Sequence, residues 1–437
     1  MSAAFPQANH VPLESRAGFE AAIASPVDLH AAPLATPAQQ GAPQNLLAAD
    51  SCTEASLYVH VPYCSERCTY CFVVTQIGLG IKDMAAYVHE LGQELAAWGG
   101  HLRAYKFRSL YYGGGTPGLL PAALFTELHQ QLRPHLAPGA TVTLETHPHV
   151  VDACRILAWR NAGVDRISLG VQTLDAELLD LINRGLTTRR ILPGVDRLLA
   201  AGFADVNVDL LYGLPNQSLG DWRIAVEGMI AMGVPSLSLY RTAYVPHTLA
   251  AFAQRGAVPP DDEAAHAMYA WAFERLNDAG YHQPRYGAAY FSRLPYPFGL
   301  NAHRRAILRG KPIVGLGMGA YGTLPHYTYV NHGERDAYQQ ALAAGDLPVA
   351  SAQAILPEEL PYKYAIETWK SGFFSRALYA ERFGESPEAR FGAELELLEL
   401  GGQIRRVEDE YRLTRDGARQ VSAIAARFMG PLSKSVR

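Results

Sequence analysis

Tyr58-Val59-His60-Val61-Pro62-Tyr63-Cys64-Ser65-Glu66-Arg67-Cys68-Thr69-Tyr70-Cys71 decides how this chain is read. A β-like run leads directly into three cysteines spaced C-x3-C-x2-C. A [4Fe–4S] cluster normally takes four thiolates, so a three-cysteine motif leaves one iron open to a ligand that is not protein. The competing readings are a structural zinc site and three unconnected thiols. Structural zinc closes with four ligands, often as paired short-spaced units, and no second half of such a pair follows in the sequence. His60 lies four residues before Cys64 but alternates out of phase along the same strand. Cys64, Cys68 and Cys71 are therefore read as ligands of an open cubane. Cys52 and Cys154 lack motif spacing and read as small structural hydrophobes.

Composition frames this centre. The chain has 437 residues, 49% of them hydrophobic, enough for one large α/β domain and a smaller one. A formal net charge of −4 gives no footprint of a general nucleic-acid binder. Five cysteines, three of them in one metal motif, point to a reducing compartment rather than a disulfide scaffold. No stretch is apolar for long enough to cross a bilayer, and the N-terminus lacks a secretory pattern. The expectation is a cytoplasmic monomer with neither membrane nor nucleic-acid partner.

Residues 1–55 are rich in Ala and Pro, with little periodicity, and read as a flexible extension. From Leu57 strand-like runs alternate with helical patterns. The runs are Leu57–Tyr63, Ser109–Gly113, Thr141–Glu145, Arg166–Val171, Asp205–Tyr212 and Ser236–Tyr240. Such alternation makes a parallel βαβ series. Six units over residues 56–300 predict a partial (β/α)6 barrel with active groups at the carboxyl ends of its strands. Residues 301–357 form a connecting segment that closes the barrel. It carries the basic run His303–Lys311 and the glycine-rich Gly315–Gly322. Residues 358–437 read as a smaller winged-helix-like α+β domain; its mixed charge argues against DNA.

Several residues are placed where chemistry would need them. Gly113-Gly114-Gly115-Thr116-Pro117 follows a strand directly, and successive glycines allow close backbone approach and positive φ. Unpaired N–H groups there could grip a carboxylate. Glu145, Gln172 and Asp209 occupy consecutive strands, and an acid in an apolar run must either pair or face a ligand. Arg184 suits a ligand carboxylate or a surface acid equally. The basic run Arg304, Arg305, Arg309 and Lys311 suits an anionic substrate, but reads first as a solvated helix face.

Together these residues resemble the radical S-adenosylmethionine (SAM) superfamily, and within it the oxygen-independent coproporphyrinogen III oxidase-like, or HemN-like, group. The matching pieces are Tyr58-x-His60-x-Pro62-Tyr63-Cys64-x3-Cys68-x2-Cys71, Gly113–Pro117, Glu145, Arg166-x-Ser168–Gln172, Asn183-Arg184 and Asp209-x3-Gly213-Leu214-Pro215. The resemblance implies that the open iron chelates SAM and that the reduced cluster cleaves it to a 5′-deoxyadenosyl radical. It further implies a low-potential electron donor such as flavodoxin or ferredoxin. Carried over by position, Tyr58, Gly114, Gly115, Thr116, Glu145, Gln172, Arg184, Asp209 and Ala243 hold the first SAM. Gly317, Met318, Gly319 and Ala320 lie near a second.

Three departures shape the expected reaction. Phe72-Val73-Val74 follows the third cysteine, where coproporphyrinogen decarboxylases continue with Gly-Cys. Their N-terminal substrate-covering element is not recognisable in the extension. The His-Asn-x-x-Tyr-Trp motif of haem chaperones is represented only by Asn301. The reading favoured by these departures is a two-SAM enzyme that methylates or cyclopropanates an sp2 carbon of a small metabolite, with His303 or Tyr321 as base. Its alternatives are oxygen-independent coproporphyrinogen III oxidation or anaerobic haem modification, and haem trafficking.

Overall fold

The computed structural model describes residues 53–295 and 301–430. Cys52 and nearly all of the extension lie outside the described residues. Six parallel strands form the centre of one sheet: β1 (Thr53–Val61), β2 (Tyr105–Gly114), β3 (Leu136–Thr146), β4 (Arg166–Gln172), β5 (Asp205–Tyr212) and β6 (Ser236–Arg241). They neighbour one another in chain order, as a βαβ series requires. The connecting helices include α1 (Ile81–Trp98), α2 (Ala122–Leu132), α3 (Ala153–Asn161), α4 (Ala176–Leu181), α5 (Thr188–Ala200) and α6 (Leu219–Ala231). Their starts follow local capping chemistry. Asp152 accepts the Arg155 N–H of α3 at 2.9 Å, and Ser218 and Asp221 close a reciprocal box at α6.

Side-chain alternation sets the two faces of the sheet. Leu57, Val59 and Val61 are fully buried toward the helices, while Ser56, Tyr58 and His60 take the other face of β1. That second face stays polar across the sheet, through Ser109, Glu145, Ser168, Asn207, Asp209 and Ser238. Parallel strands are usually apolar on both faces, so a polar inner face needs partners, and it has them. Near its base Arg166 Nε meets Asp205 Oδ2 at 2.8 Å, with both side chains buried.

The sheet grows beyond the six strands. β7 (Tyr290–Ser292) adds antiparallel to β6. At the opposite edge β8 (Ile313–Leu316) lies parallel to β1 and aligns Gly315 with Tyr58. β9 (Tyr321–Thr323), β10 (Tyr327–Asn331) and β11 (Val349–Ala354) continue antiparallel. The 301–357 segment thus lengthens the sheet at β1, and among the described residues the strand order is linear, with no pairing between its end strands. Its helix Ala302–Leu308 packs against the inner face, where His303 Nδ1 and Ser56 Oγ are 2.8 Å apart.

The C-terminal part has its own core around Trp369, Phe374, Phe391 and Phe428. It holds a small antiparallel sheet of β12 (Phe373–Ser375), β14 (Glu410–Leu413) and β13 (Ile404–Val407) in that spatial order. Arg285 ties it to the barrel side. Its guanidinium donates to both oxygens of Glu410 and lies 3.7 Å from the centre of the Phe373 ring. Among the described residues no helix is long and apolar enough to cross a membrane.

Glu94 of α1 anchors the glycine-rich segment after β8. This fully buried carboxylate accepts from Gly317 N at 2.7 Å, Tyr338 Oη at 2.6 Å and Asn331 Nδ2 at 2.7 Å. Burial pushes it up to about 7, with the three donors pulling the other way. A carboxyl raised from the ordinary 4.5 stabilises the fold most below that value and loses its contribution as pH rises through about 7. The span corresponds to about 3 kcal/mol. The melting temperature of cluster-free protein is expected to fall between pH 5 and pH 8. Glu94→Gln should flatten part of that slope, measured by differential scanning calorimetry, with an unchanged profile counting against the assignment.

Candidate active site

The cysteine loop is held by the end of β2. Gly115 N donates to Val61 O at 2.9 Å, and Thr116 N to Tyr63 O at 2.7 Å. A Cβ on Gly115 would fall 2.7 Å from Tyr63 O, and one on Gly114 would fall 2.7 Å from the His60 ring, so neither position admits a side chain. This corrects the expected role of these amides: those of Gly115 and Thr116 bind the loop rather than wait for a ligand. The far side is tied by Thr69 N to Ile182 O at 3.0 Å and by Asn183 Nδ2 to Arg67 O at 2.8 Å. Asn183 takes a left-handed φ of 53° to do so.

His60 was passed over as a ligand, and its actual role is structural. Its Nε2 lies 2.9 Å from Val74 O and its Nδ1 3.0 Å from Tyr58 Oη, pinning the chain that follows Cys71 onto β1. Burial lowers its pKa to about 4, so it stays neutral. With Nε2–H donating to the Val74 carbonyl, Nδ1 is left to accept from Tyr58.

Cys64, Cys68 and Cys71 are partly buried on this loop. Cys64 Sγ sits 3.5 Å from Thr116 Oγ1, and Arg184 Nη1 donates to Cys68 Sγ at 3.3 Å. Burial raises the Cys71 thiol to about 11, and its two neighbouring thiols add to the effect. Burial is likewise the main cause of the upward shift at Cys64. Three thiols on one short loop are the donor chemistry of a polynuclear iron group, whose cationic irons would stabilise their thiolates. Among the described residues no three His, Cys, Asp or Glu side chains converge on a single ion. A cubane does not ask for that, because each thiolate binds a different iron. The donor set fits such a cluster. Cys154, by contrast, is exposed rather than the buried hydrophobe expected. It stands in the first turn of α3 on the solvent side.

The expected SAM residues lie along the carboxyl ends of the strands. Glu145 accepts from Tyr111 Oη at 2.5 Å. Desolvation pushes it up to about 7, and the charge of Asp209 adds to the shift. Asp209 accepts from Ser168 Oγ at 2.9 Å and Asn207 Nδ2 at 2.7 Å, and burial raises it as well. Gln172 ends β4 at φ 72°, beyond a register shift that follows Gly170. Arg184 donates to the Gly170 carbonyl and to Tyr70 Oη, so in this structure it braces the loop. Ala243 lies just past β6, where its carbonyl accepts from Thr248 Oγ1.

Gly317–Ala320 follows β8 beside β1, and a Cβ on Gly317 would meet His60 O at 2.5 Å. Every amide of this segment is bonded within the protein. Gly317 N goes to Glu94, Met318 N to Tyr87 Oη, Gly319 N to His332 O and Ala320 N to Gly317 O. His303 is helical and buried, not a solvated loop residue, and its Nε2 lies 2.9 Å from Tyr321 Oη. Tyr58 packs against both, with ring centres 5.8 Å from His303 and 5.0 Å from Tyr321. The basic run is not a uniform solvated face either: Arg304 is buried, whereas Arg309 is exposed.

A partial barrel with three cysteines at the end of its first strand is the arrangement of radical SAM proteins, and residues 58–227 match the Radical SAM superfamily model. The chain is 30% identical over 391 residues to the oxygen-independent coproporphyrinogen III oxidase of Bradyrhizobium diazoefficiens, covering 86% of each chain. It is 32% identical over 273 residues to the heme chaperone HemW of Escherichia coli, covering 61% of this chain and 69% of that one. The structure of Escherichia coli coproporphyrinogen III oxidase, HemN, superposes with a TM-score of 0.75 at 22% identity, covering 87% of this chain and 91% of that one. The chain therefore belongs to the radical SAM superfamily and, within it, to the HemN-like family. Its enzyme class is radical SAM, and the fold implies use of a [4Fe–4S] cluster and SAM.

Two outcomes follow from this geometry. Gly115→Ala forces the loop away from β2 and should lower iron incorporation to near that of Cys68→Ala, read by iron content and electron paramagnetic resonance; retention of a full cluster in Gly115→Ala would count against the close-approach argument. An acid raised to about 7 is mostly neutral at pH 6 and ionised at pH 8. If ionised Glu145 receives the SAM amino group, SAM affinity should rise about tenfold across that range. Equilibrium dialysis should show a flatter profile for Glu145→Gln.

Proposed function

We propose that the protein cleaves SAM reductively and uses the radical to oxidise a carboxylate-bearing side chain of a reduced tetrapyrrole, as a coproporphyrinogen III oxidase does. The observation that carries this reading is the match to the Bradyrhizobium enzyme over 86% of both chains, through the barrel and into the C-terminal part. A [4Fe–4S] cluster on Cys64, Cys68 and Cys71, when bound, supplies the open iron that chelates SAM and the electron that breaks its sulfonium bond. The remaining tasks fall to side chains of the chain itself. Glu145, oriented by Tyr111, accepts from the amino group. Arg184 turns from Gly170 O to the carboxylate. Asp209, held by Ser168 and Asn207, takes a ribose hydroxyl. Tyr58 walls the inner face, and buried His303 with half-buried Tyr321 offers a hydrogen-bonded pair able to move a proton. A low-potential flavodoxin- or ferredoxin-type donor completes the proposal.

A second reading, two-SAM methyl or methylene transfer to an sp2 carbon, is favoured by Phe72-Val73-Val74 standing where decarboxylases carry Gly-Cys. The internally bonded amides of Gly317–Ala320 weigh against a second SAM held by that backbone. Haem capture gains nothing from Asn301, whose side chain caps its own helix by accepting from Arg304 N at 2.6 Å.

The deciding assay uses anaerobic, cluster-loaded protein with dithionite, SAM and coproporphyrinogen III. The expected products are 5′-deoxyadenosine and carbon dioxide, both dependent on coproporphyrinogen III. S-adenosylhomocysteine with no decarboxylation would replace this reading with methyl transfer.

A further inference from the structure

Where the barrel meets the C-terminal part lies a cavity of about 120 Å³ lined by Tyr240, Tyr290, Arg285, Arg304, Lys370 and Ser371, among others. One water needs only about 10–15 Å³ on the same measure, so the space takes a sizeable organic group. Three of these six side chains are cationic, but they differ in what surrounds them. Arg285 makes a two-pronged contact with Glu410, a carboxylate it shares with Arg412, and lies against Phe373. Arg304 is 8% exposed; its Nη2 donates to Ser371 Oγ at 2.8 Å, and its buried Nε has no hydrogen-bond partner among the described residues. No carboxylate forms an ion pair with Arg304 among those residues. Lys370, 7% exposed, lines the same space.

A guanidinium taken out of water is costly unless an anion meets it. Here the burial is built: helix Ala302–Leu308 is capped by Asn301, and Ser371 fixes one arm of Arg304. Arg304 thus lines the cavity with a buried N–H donor still unbonded, and Lys370 lines the same space, a combination that suits a carboxylate. Ala288, Leu308 and Phe373 supply apolar wall for a hydrocarbon stem. The cavity also reaches the inner face. Tyr240 and Tyr290, with ring centres 6.2 Å apart, belong to strands β6 and β7, and Tyr240 lies within the field of Asp209.

We infer that this cavity binds a carboxylate on an apolar arm of the substrate, with Arg304 as the principal grip and Lys370 as its partner. The inference deepens the reading above, because it assigns the C-terminal junction to substrate recognition while SAM occupies the strand ends. Arg304 and Lys370 are thereby specificity-determining residues, and neither belongs to the cysteine loop.

The test uses cluster-loaded full-length protein and isothermal titration with 3-phenylpropionate, its methyl ester and inorganic phosphate. The acid should bind and the neutral ester should bind at least about tenfold more weakly, as expected when a charged hydrogen bond is lost. Arg304→Gln and Lys370→Met should each weaken the acid to a similar degree, and Arg304→Lys should restore part of the loss. Iron content and melting temperature report folding; if Arg304→Gln fails to fold, Lys370→Met and Arg304→Lys carry the comparison. Equal binding of acid and ester, unchanged binding in the variants, or tighter binding of phosphate would overturn the carboxylate site. Binding of the acid as described, with coproporphyrinogen III neither bound nor converted, keeps this site and removes the tetrapyrrole reading. Conversion of coproporphyrinogen III with the same KM in Lys370→Met as in wild type does the reverse.

Discussion

The contact on which the rest depends is the one made where a side chain is missing. The end of β2 runs so close to Pro62 and Tyr63 that a Cβ on Gly115 would sit 2.7–2.9 Å from their backbone atoms. That approach lets two amides of the glycine run bond Val61 and Tyr63, and so carries the strand pairing of β1 and β2 past the sheet and into the cysteine loop. The loop is then less a loop than a continuation of the barrel. Its thiols inherit the rigidity of two buried strands, and a metal cluster asks for that before anything else.

Around this contact the protein accepts an unusual arrangement. A parallel sheet that could have been apolar on both faces presents serines, tyrosines and acids to its interior. The cost is met by dense mutual bonding: Ser109 to Ser56, Ser168 and Asn207 to Asp209, Tyr111 to Glu145, and Arg166 to Asp205. The acids remain poorly solvated even so, and their raised proton affinity is the residue of that cost. Such a face is maintained against the ordinary preference for hydrocarbon, and that marks it as the working surface.

Much of this was legible from residues alone, and the part that was not has identifiable causes. The six strands announce themselves by apolar runs between helical patterns, and the cysteine spacing and glycine run are local signatures. The strands after residue 312 are short and glycine-punctuated, so Ile313–Leu316 and Tyr321–Thr323 carry too little pattern to separate them from a loop. The burial of His303 and Arg304 leaves no local signature for the same reason. A helix spanning only Ala302–Leu308 has no full period to reveal which side is inward, and their burial comes from the tertiary docking of that helix on β1 and β2. The structural role of His60 has no signature in the sequence, because its partner Val74 reaches it only when the chain folds back. Nothing local in the helix distinguishes the carboxylate of Glu94; its burial is set by three donors from distant segments.

The ties that position the cysteine loop end largely on main-chain oxygens, those of Val61, Pro62, Tyr63, Arg67, Val74 and Ile182. A carbonyl is present whatever residue bears it. Most of the intervening side chains can therefore be replaced, redrawing the outer shape and charge of the loop, without removing the acceptors that fix where the sulfur atoms stand. Diversification of chemistry around a fixed radical source becomes a matter of drift at tolerant positions.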